Sequence, residues 1–200
     1  NAASFAEFHS GVAQDRRVRV IDGTLTQIEM NDLYQAADCF VSLHRAEGLG
    51  LGLAECMYQG KPVIGTGYSG NLEFMNEHNS ALVRYALVPI ERGEYLYDDP
   101  GFFWAEPDED HAAQLMRRMV DDVEYRRRLA LRGQQDLRAR FSNASAAKGI
   151  AQRLEQLGLR DSTGKAMGNR ERKAGTDTEP GDLDQAYRAR GSHPGLVHLL

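Results

Sequence analysis

Apolar positions along the first half of the chain switch between two spacings. Arg17 to Ile21 alternates polar and apolar side chains and stops at Asp22-Gly23, which predicts a strand. Thr26-Gln27-Ile28-Glu29 has the spacing of a capping box, and Met30, Leu33, Tyr34 and Ala37 then recur at helical intervals. Cys39 to Leu43 is a short apolar run that predicts a buried strand. A glycine-rich turn from Gly48 to Gly52 follows, then a helix carried by Leu53, Ala54 and Met57 and ended at Gly60. Pro62 to Thr66 predicts a further strand. Alternation of strand and helix builds a parallel sheet flanked by helices, because parallel neighbours need a crossover connection.

Beyond residue 70 the pattern predicts a short helix at Asn71–Met75 and an extended segment from Ala81 to Ile90. Ala112, Leu115, Met116 and Met119 mark an amphipathic helix. Ser142 is placed to cap a last helix, with Ala147, Ile150, Ala151, Leu154 and Leu157 as its inner face. About four parallel strands fit between residues 17 and 88, fewer than a complete doubly wound domain carries, so the N-terminal part of the sheet is expected to be missing. The chain also begins at Asn1, as a processed protein or a piece of a longer one would.

Residues 159–200 read differently. They hold six Leu, Ile, Val or Phe residues and a balanced set of charges, too little apolar surface to offset the entropy of ordering. The expected organisation is one partial domain over 1–158 and a disordered tail over 159–200.

Composition narrows the classes. With 42% hydrophobic and 26% charged residues the chain of 200 is ordinary globular material, and no apolar run approaches the ~20 residues of a membrane-spanning helix. A net charge of -5 argues against nucleic acid as a partner. Cys39 and Cys56, the two cysteines, each lie in an apolar stretch and read as buried free thiols of a reducing compartment.

The chemistry concentrates in Glu47-Gly48-Leu49-Gly50-Leu51-Gly52-Leu53-Ala54-Glu55. It lies where a strand gives way to a helix, and ligands of open α/β sheets bind beyond the carboxyl ends of strands. Glycines let backbone approach a ligand, and the helix start behind them offers unpaired N–H groups suited to phosphate. Glu47 before the turn and Glu55 beyond it can accept hydrogen bonds from paired hydroxyls. Phosphate plus polyol means a nucleotide sugar. Taken singly the elements are weak: glycine turns are common, Gly48-x-Gly50 followed by Leu53 fails the dinucleotide fingerprint, and Glu55 could merely complement a helix dipole.

Glu47-x7-Glu55, Met57, Gly60-Lys61-Pro62-Val63-Ile64 and Ser69-Gly70-Asn71-Leu72-Glu73, in that order, resemble the nucleotide-sugar domain of retaining GT-B glycosyltransferases of the "group 1" type, family four of the sequence classification. The resemblance runs from about Val18 to Leu157. It implies a Rossmann-like fold, the C-terminal donor-binding part of a GT-B enzyme. It places Glu47 at the donor sugar near the reacting centre. It places the backbone of Gly48, Leu49, Gly50 and Leu51 at the sugar and diphosphate, and Glu55 on the ribose hydroxyls. Gly70 and Glu73 match a supporting Gly-x-x-Glu element. Arg45 stands where many relatives have arginine, able to pair with phosphate or with Glu47, or to be solvated.

Leu43-His44, Gly52 and Asn79-Ser80 depart from the family's common pattern, which leaves the identity of the donor open. The resemblance also implies an N-terminal GT-B domain and a basic pair, neither of which this sequence holds. Asp108-Glu109-Asp110 and Asp182-Leu183-Asp184 have the form of a metal motif, but the first opens a helix, where acidic residues are favoured. The six histidines show no ligand spacing, and His44 at a strand end reads as structural. Arg126-Arg127-Arg128 reads as the solvated face of a helix.

The expected function is sugar transfer from a nucleoside diphosphate to an acceptor hydroxyl, with retention and without a metal or other cofactor, in cell-surface polysaccharide or glycoconjugate synthesis. The expected acceptor is a glycan or lipid-linked sugar, and the location cytoplasmic or peripheral at the inner face of the membrane. This chain alone is expected to be inactive. A non-catalytic nucleotide-sugar module and a flavodoxin-like phosphate-binding signalling domain are the alternatives.

Overall fold

A computed structural model of the chain describes residues 10–12, 15–95 and 101–157. The tail expected to be disordered lies outside them. The chain divides into two compact units, 1–33 and 34–200.

In the first unit, Asp15 holds both the backbone N–H and the guanidinium of Arg17 in a tight turn. That ion pair lowers the Asp15 carboxyl to about 2. Residues 18–26 form no strand, which corrects the expectation for Arg17–Ile21; Val18 and Ile21 are half exposed. Alternation gives an extended segment two faces, but a strand forms only where a neighbour takes its N–H and C=O groups. The capping box is present. The Thr26 N–H donates to Glu29 Oε2 at 2.8 Å and the Glu29 N–H to Thr26 Oγ1 at 3.3 Å, opening α1 (Gln27–Ala36).

The second unit carries β1 (Phe40–Ser42), α2 (Leu51–Tyr58), β2 (Val63–Thr66), a 3-10 turn (Gly70–Glu73) and β3 (Ala81–Val83). Next come β4 (Tyr85–Pro89), β5 (Phe103–Pro107), α3 (Glu109–Asp121), α4 (Val123–Arg140) and α5 (Asn143–Gln156). Strands β1, β2 and β3 pair in parallel in that order, so three strands stand where about four were expected. The segment expected to be extended as a whole divides between β3 and β4. The latter pairs antiparallel with β5 in a separate ribbon that the hydrophobic pattern did not predict.

Helices flank both faces of the parallel sheet. Ile64 faces α3 in a buried cluster with Cys39, Ala81, Val83, Ala112, Met119, Tyr125 and Leu129. The opposite face of β2 meets α2: a Cβ added to Gly65 would lie 3.4 Å from Leu53 Cδ2. Helix α4 closes onto α2 where Gly133 leaves room for Met57, whose Cε would stand 3.1 Å from an added Cβ. Burial pushes the Cys39 and Cys56 thiols up to about 12.

Two surface expectations change. Arg126 is half-buried and donates to the Met119 carbonyl at 2.7 Å, closing the end of α3 rather than facing water. Ser142 does cap α5, its Oγ accepting from the Ser145 N–H at 3.1 Å. The expected inner face is not buried, however. Ala147, Ile150, Ala151 and Leu157 are exposed and Leu154 is only half-buried, because no described element packs against that stripe.

Candidate functional site

The loop beyond the carboxyl end of β1 is built by two segments that grip each other through their backbones. Ser69 Oγ donates to the Glu47 carbonyl at 2.6 Å and accepts from the Glu47 N–H at 3.2 Å. The Gly70 N–H donates to the same carbonyl at 3.0 Å. The approach is so close that a Cβ on Gly70 would overlap the Gly48 carbonyl, so this position accepts only glycine without rearrangement.

Gly50 is the N-cap of α2, with φ 87 and ψ 54, a left-handed conformation that glycine adopts without strain. The first intrahelical bond runs from the Ala54 N–H to the Gly50 carbonyl. The N–H groups of Leu51, Gly52 and Leu53 therefore precede the helical ladder and point from its positive end. The Gly48 N–H donates to Glu47 Oε1 at 3.1 Å, so the loop already holds one anionic oxygen. Leu49 and Leu51 are exposed and Glu47 is half-buried. Glu55 is half-buried on α2, five residues, or about 7.5 Å of helix rise, past Gly50. Among the described residues no side-chain hydrogen bond or ion pair engages it. Gly52 faces the edge-to-face pair of Tyr34 and Phe40; an added Cβ would lie 3.2 Å from the Tyr34 hydroxyl.

A buried polar network supports the second segment. Asn71 is fully buried; its Nδ2 donates to the Thr66 carbonyl at 2.9 Å, leaving Oδ1 to face His44 Nε2 at 3.1 Å. His44 Nε2 also lies 3.2 Å from the Tyr68 carbonyl, and Nδ1 lies 3.2 Å from Ser42 Oγ. Two oxygens at Nε2 fix the proton there, and Nδ1 then accepts from the Ser42 hydroxyl. His44 is thus the structural histidine expected at this strand end, holding residues 68–71 in place.

Ser69 has φ 83, the one non-glycine positive φ among the described residues. Such a backbone costs roughly 1–3 kcal/mol and persists only where its surroundings over-determine it. Here they do, through His44, Asn71, Glu47 and the ring of Tyr68 lying 5.1 Å from that of Tyr85. Sequence reasoning missed Ser69 and Asn71 as components of the site, since neither hydroxyl nor amide announces a contact with a distant loop.

The other expected residues fall as follows. Arg45 does not reach Glu47. It pairs with Glu106 at 2.5 Å, its guanidinium lies 5.6 Å from the Trp104 ring centre, and its carbonyl accepts the Ala105 N–H, tying the loop to β5. Glu73 ends the 3-10 turn with its side chain exposed, while its carbonyl accepts from the Arg140 guanidinium. Asp108 caps α3, accepting the His111 N–H at 2.9 Å and pairing with Arg84. The His111 N–H bond, followed by the nearby Arg84 charge, lowers its carboxyl below the ordinary value. Among the described residues no three His, Cys, Asp or Glu side chains gather into a metal-binding group, and no helix is long and apolar enough to cross a membrane. Asp182-Leu183-Asp184 lies outside the described residues.

Parallel strands, crossover helices and a glycine loop at a strand's carboxyl end define a Rossmann-like α/β domain. Within that class, residues 17–136 match the family described as glycosyl transferases group 1, and the chain belongs to that family. Trehalose synthase of Pyrococcus horikoshii is 34% identical over 73 residues, 36% of this chain and 18% of the relative. The structure of Anabaena HepE in complex with UDP and glucose superposes with a TM-score of 0.57 at 18% identity, over 78% of this chain and 36% of HepE. The C-terminal domain of a group 1 glycosyl transferase from Francisella tularensis, LpcC, gives 0.52 at 18% identity, over 71% of this chain and 63% of that domain. The chain therefore spans about a third of HepE and under a fifth of the trehalose synthase.

Proposed function

We propose that this chain supplies the donor-binding half of a glycosyltransferase that moves a sugar from a nucleoside diphosphate to an acceptor hydroxyl with retention. The observation that carries the reading is the loop itself. Glu47 is clamped beside Gly48–Leu51 at the start of α2, and a second carboxylate, Glu55, stands about a turn into the helix. The N–H groups at the helix start suit a diphosphate, and their dipole opposes the charge that develops as it leaves. Glu55 accepts the ribose hydroxyls. Glu47 meets the sugar, where it orients hydroxyls and faces the reacting carbon. The charge stabilisation is supplied by N–H groups and by basic groups of the rest of the protein, without a metal. Gly70 and Glu73 support the same pocket from the second segment. Arg45 joins the site by exchanging Glu106 for phosphate.

Family membership and the UDP and glucose held by HepE support this reading. Closure of an N-terminal domain over the donor would exclude water and bring a glycan or lipid-linked acceptor. The setting that fits is the cytoplasmic face of a membrane, in polysaccharide or glycoconjugate synthesis. A thermal-shift panel of UDP, GDP and dTDP sugars tests the reading. One nucleotide class is expected to stabilise the chain by about 2.7 kcal/mol at a hundredfold excess over Kd. No shift with any of them would contradict it.

A further inference from the structure

Glu47 does not hold its own position. Its backbone N–H and carbonyl are both tied to one hydroxyl, that of Ser69, at 3.2 and 2.6 Å. That hydroxyl is presented by a backbone at φ 83 and ψ −154, a conformation suited to glycine. Glycine at 69 would relieve the strain, yet this chain carries serine there. The cost is offset by what serine adds, and what it adds is the grip on Glu47. Neighbours on every side keep the strained residue from relaxing. The Tyr68 N–H donates to the Thr66 carbonyl at 2.8 Å, the Tyr68 carbonyl faces His44, and the Gly70 N–H is spent on Glu47. The α2 end of the loop has a bond that does not involve Ser69, from the Ala54 N–H to the Gly50 carbonyl, although Gly50 also lies against Asn71 and Glu47.

Resting on the donor-site reading above, we propose that Ser69 is a positioning residue. Its hydroxyl fixes the backbone of Glu47, and so sets where the carboxylate meets the donor sugar. Because the Ala54 N–H to Gly50 bond that opens α2 does not involve Ser69, the effect falls mainly on the sugar end of the site. A displacement of about 1 Å at a reacting centre lowers turnover by as much as a hundredfold, whereas binding of the diphosphate to the helix start is spared.

The test uses the intact protein, the nucleotide sugar of the UDP, GDP and dTDP panel that binds it most tightly, and the matching bare diphosphate. Ser69→Gly relieves the backbone strain but gives up both Ser69 hydrogen bonds, so it is expected to melt within a few degrees of the wild-type temperature and to bind the diphosphate within about twofold of wild type. Its turnover, read as diphosphate release, is expected to fall about 10- to 100-fold. Amide hydrogen exchange over residues 46–49 is expected to quicken in the same variant, a readout that needs no turnover. Ser69→Thr restores a hydroxyl on a backbone that a branched side chain tolerates poorly, and is expected to recover turnover relative to Ser69→Gly while melting lower. Unchanged hydrogen exchange and unchanged turnover in Ser69→Gly would overturn the proposal. So would a fall in its melting temperature that accounts for the lost turnover, since serine would then be holding the fold only. Failure of the unsubstituted protein to bind any nucleotide sugar would remove the donor-site reading first and this proposal with it.

Discussion

Replacing Gly70 by alanine tests whether the two loop segments depend on each other. The added methyl would fall on the Gly48 carbonyl and 3.0 Å from the Glu47 carbonyl oxygen. Both obstacles are backbone, so no rotamer change relieves the overlap and the segments must part. Parting them breaks the Gly70 N–H bond to Glu47 and both bonds of Ser69 Oγ. Three hydrogen bonds at about 1 kcal/mol each amount to about 3 kcal/mol. Alanine's smaller unfolded-state entropy returns about 0.4–1 kcal/mol, leaving a net loss of about 2–2.5 kcal/mol. For a domain of this size that lowers Tm by on the order of 10 °C. Gly48→Ala is the control, because an added Cβ there meets nothing within 4 Å. Thermal unfolding followed by circular dichroism should show a large drop for Gly70→Ala and none for Gly48→Ala. Calorimetry should then find donor binding weakened in Gly48→Ala, whose methyl projects from the exposed loop. Equal melting temperatures for Gly70→Ala and wild type would refute the close approach of the segments.

Four further outcomes follow from burial. Cys39 and Cys56 should resist alkylation of the native chain at pH 8 and react fully in denaturant, since burial pushes both thiols up to about 12. Both folded values lie above the ordinary 9.0, so their contribution to stability is complete below pH 9 and is lost as pH rises from there towards 12; a pH series of denaturant melts reads it. Leu129→Ala should cost about 2–5 kcal/mol by denaturant titration, because Leu129 is fully buried in the cluster around Ile64. Ile150→Ala, at 62% exposure on α5, should change the same titration by less than about 0.5 kcal/mol.

The elements legible in the sequence are those whose signals are local. The Thr26–Glu29 capping box, the Ser142 cap, the glycine that ends α2 and the apolar runs of β1 and β2 all depend on residues within a turn of each other. Arg17–Ile21 shows the limit of such signals, since its alternation is real but pairing requires a neighbour. The stripe of α5 is equally real in its spacing, but spacing does not say what covers it. The β4–β5 ribbon depends on a register between Tyr85–Pro89 and Phe103–Pro107 that no local pattern encodes. In the candidate site, Glu47, the glycine loop, Glu55 and Gly70 were visible as a spaced motif. His44 was legible as a structural residue but not what it holds, and Ser69 and Asn71 were not legible as support, because these roles are set by contacts 22 to 27 residues away in sequence.

If Glu55 holds the nucleotide and Glu47 the sugar, calorimetry of the bare nucleoside diphosphate and of its sugar in the intact protein separates the two carboxylates. Glu55→Ala should weaken both ligands by about ten- to a hundredfold, the worth of roughly 1.5–3 kcal/mol for hydrogen bonds to a charged group. Glu47→Ala should bind the bare diphosphate as wild type does and lose turnover at saturating donor. Loss of diphosphate binding in Glu47→Ala with none in Glu55→Ala would reverse the assignment. Unchanged binding and turnover in both would reduce the loop to a surface turn and overturn the donor-site reading.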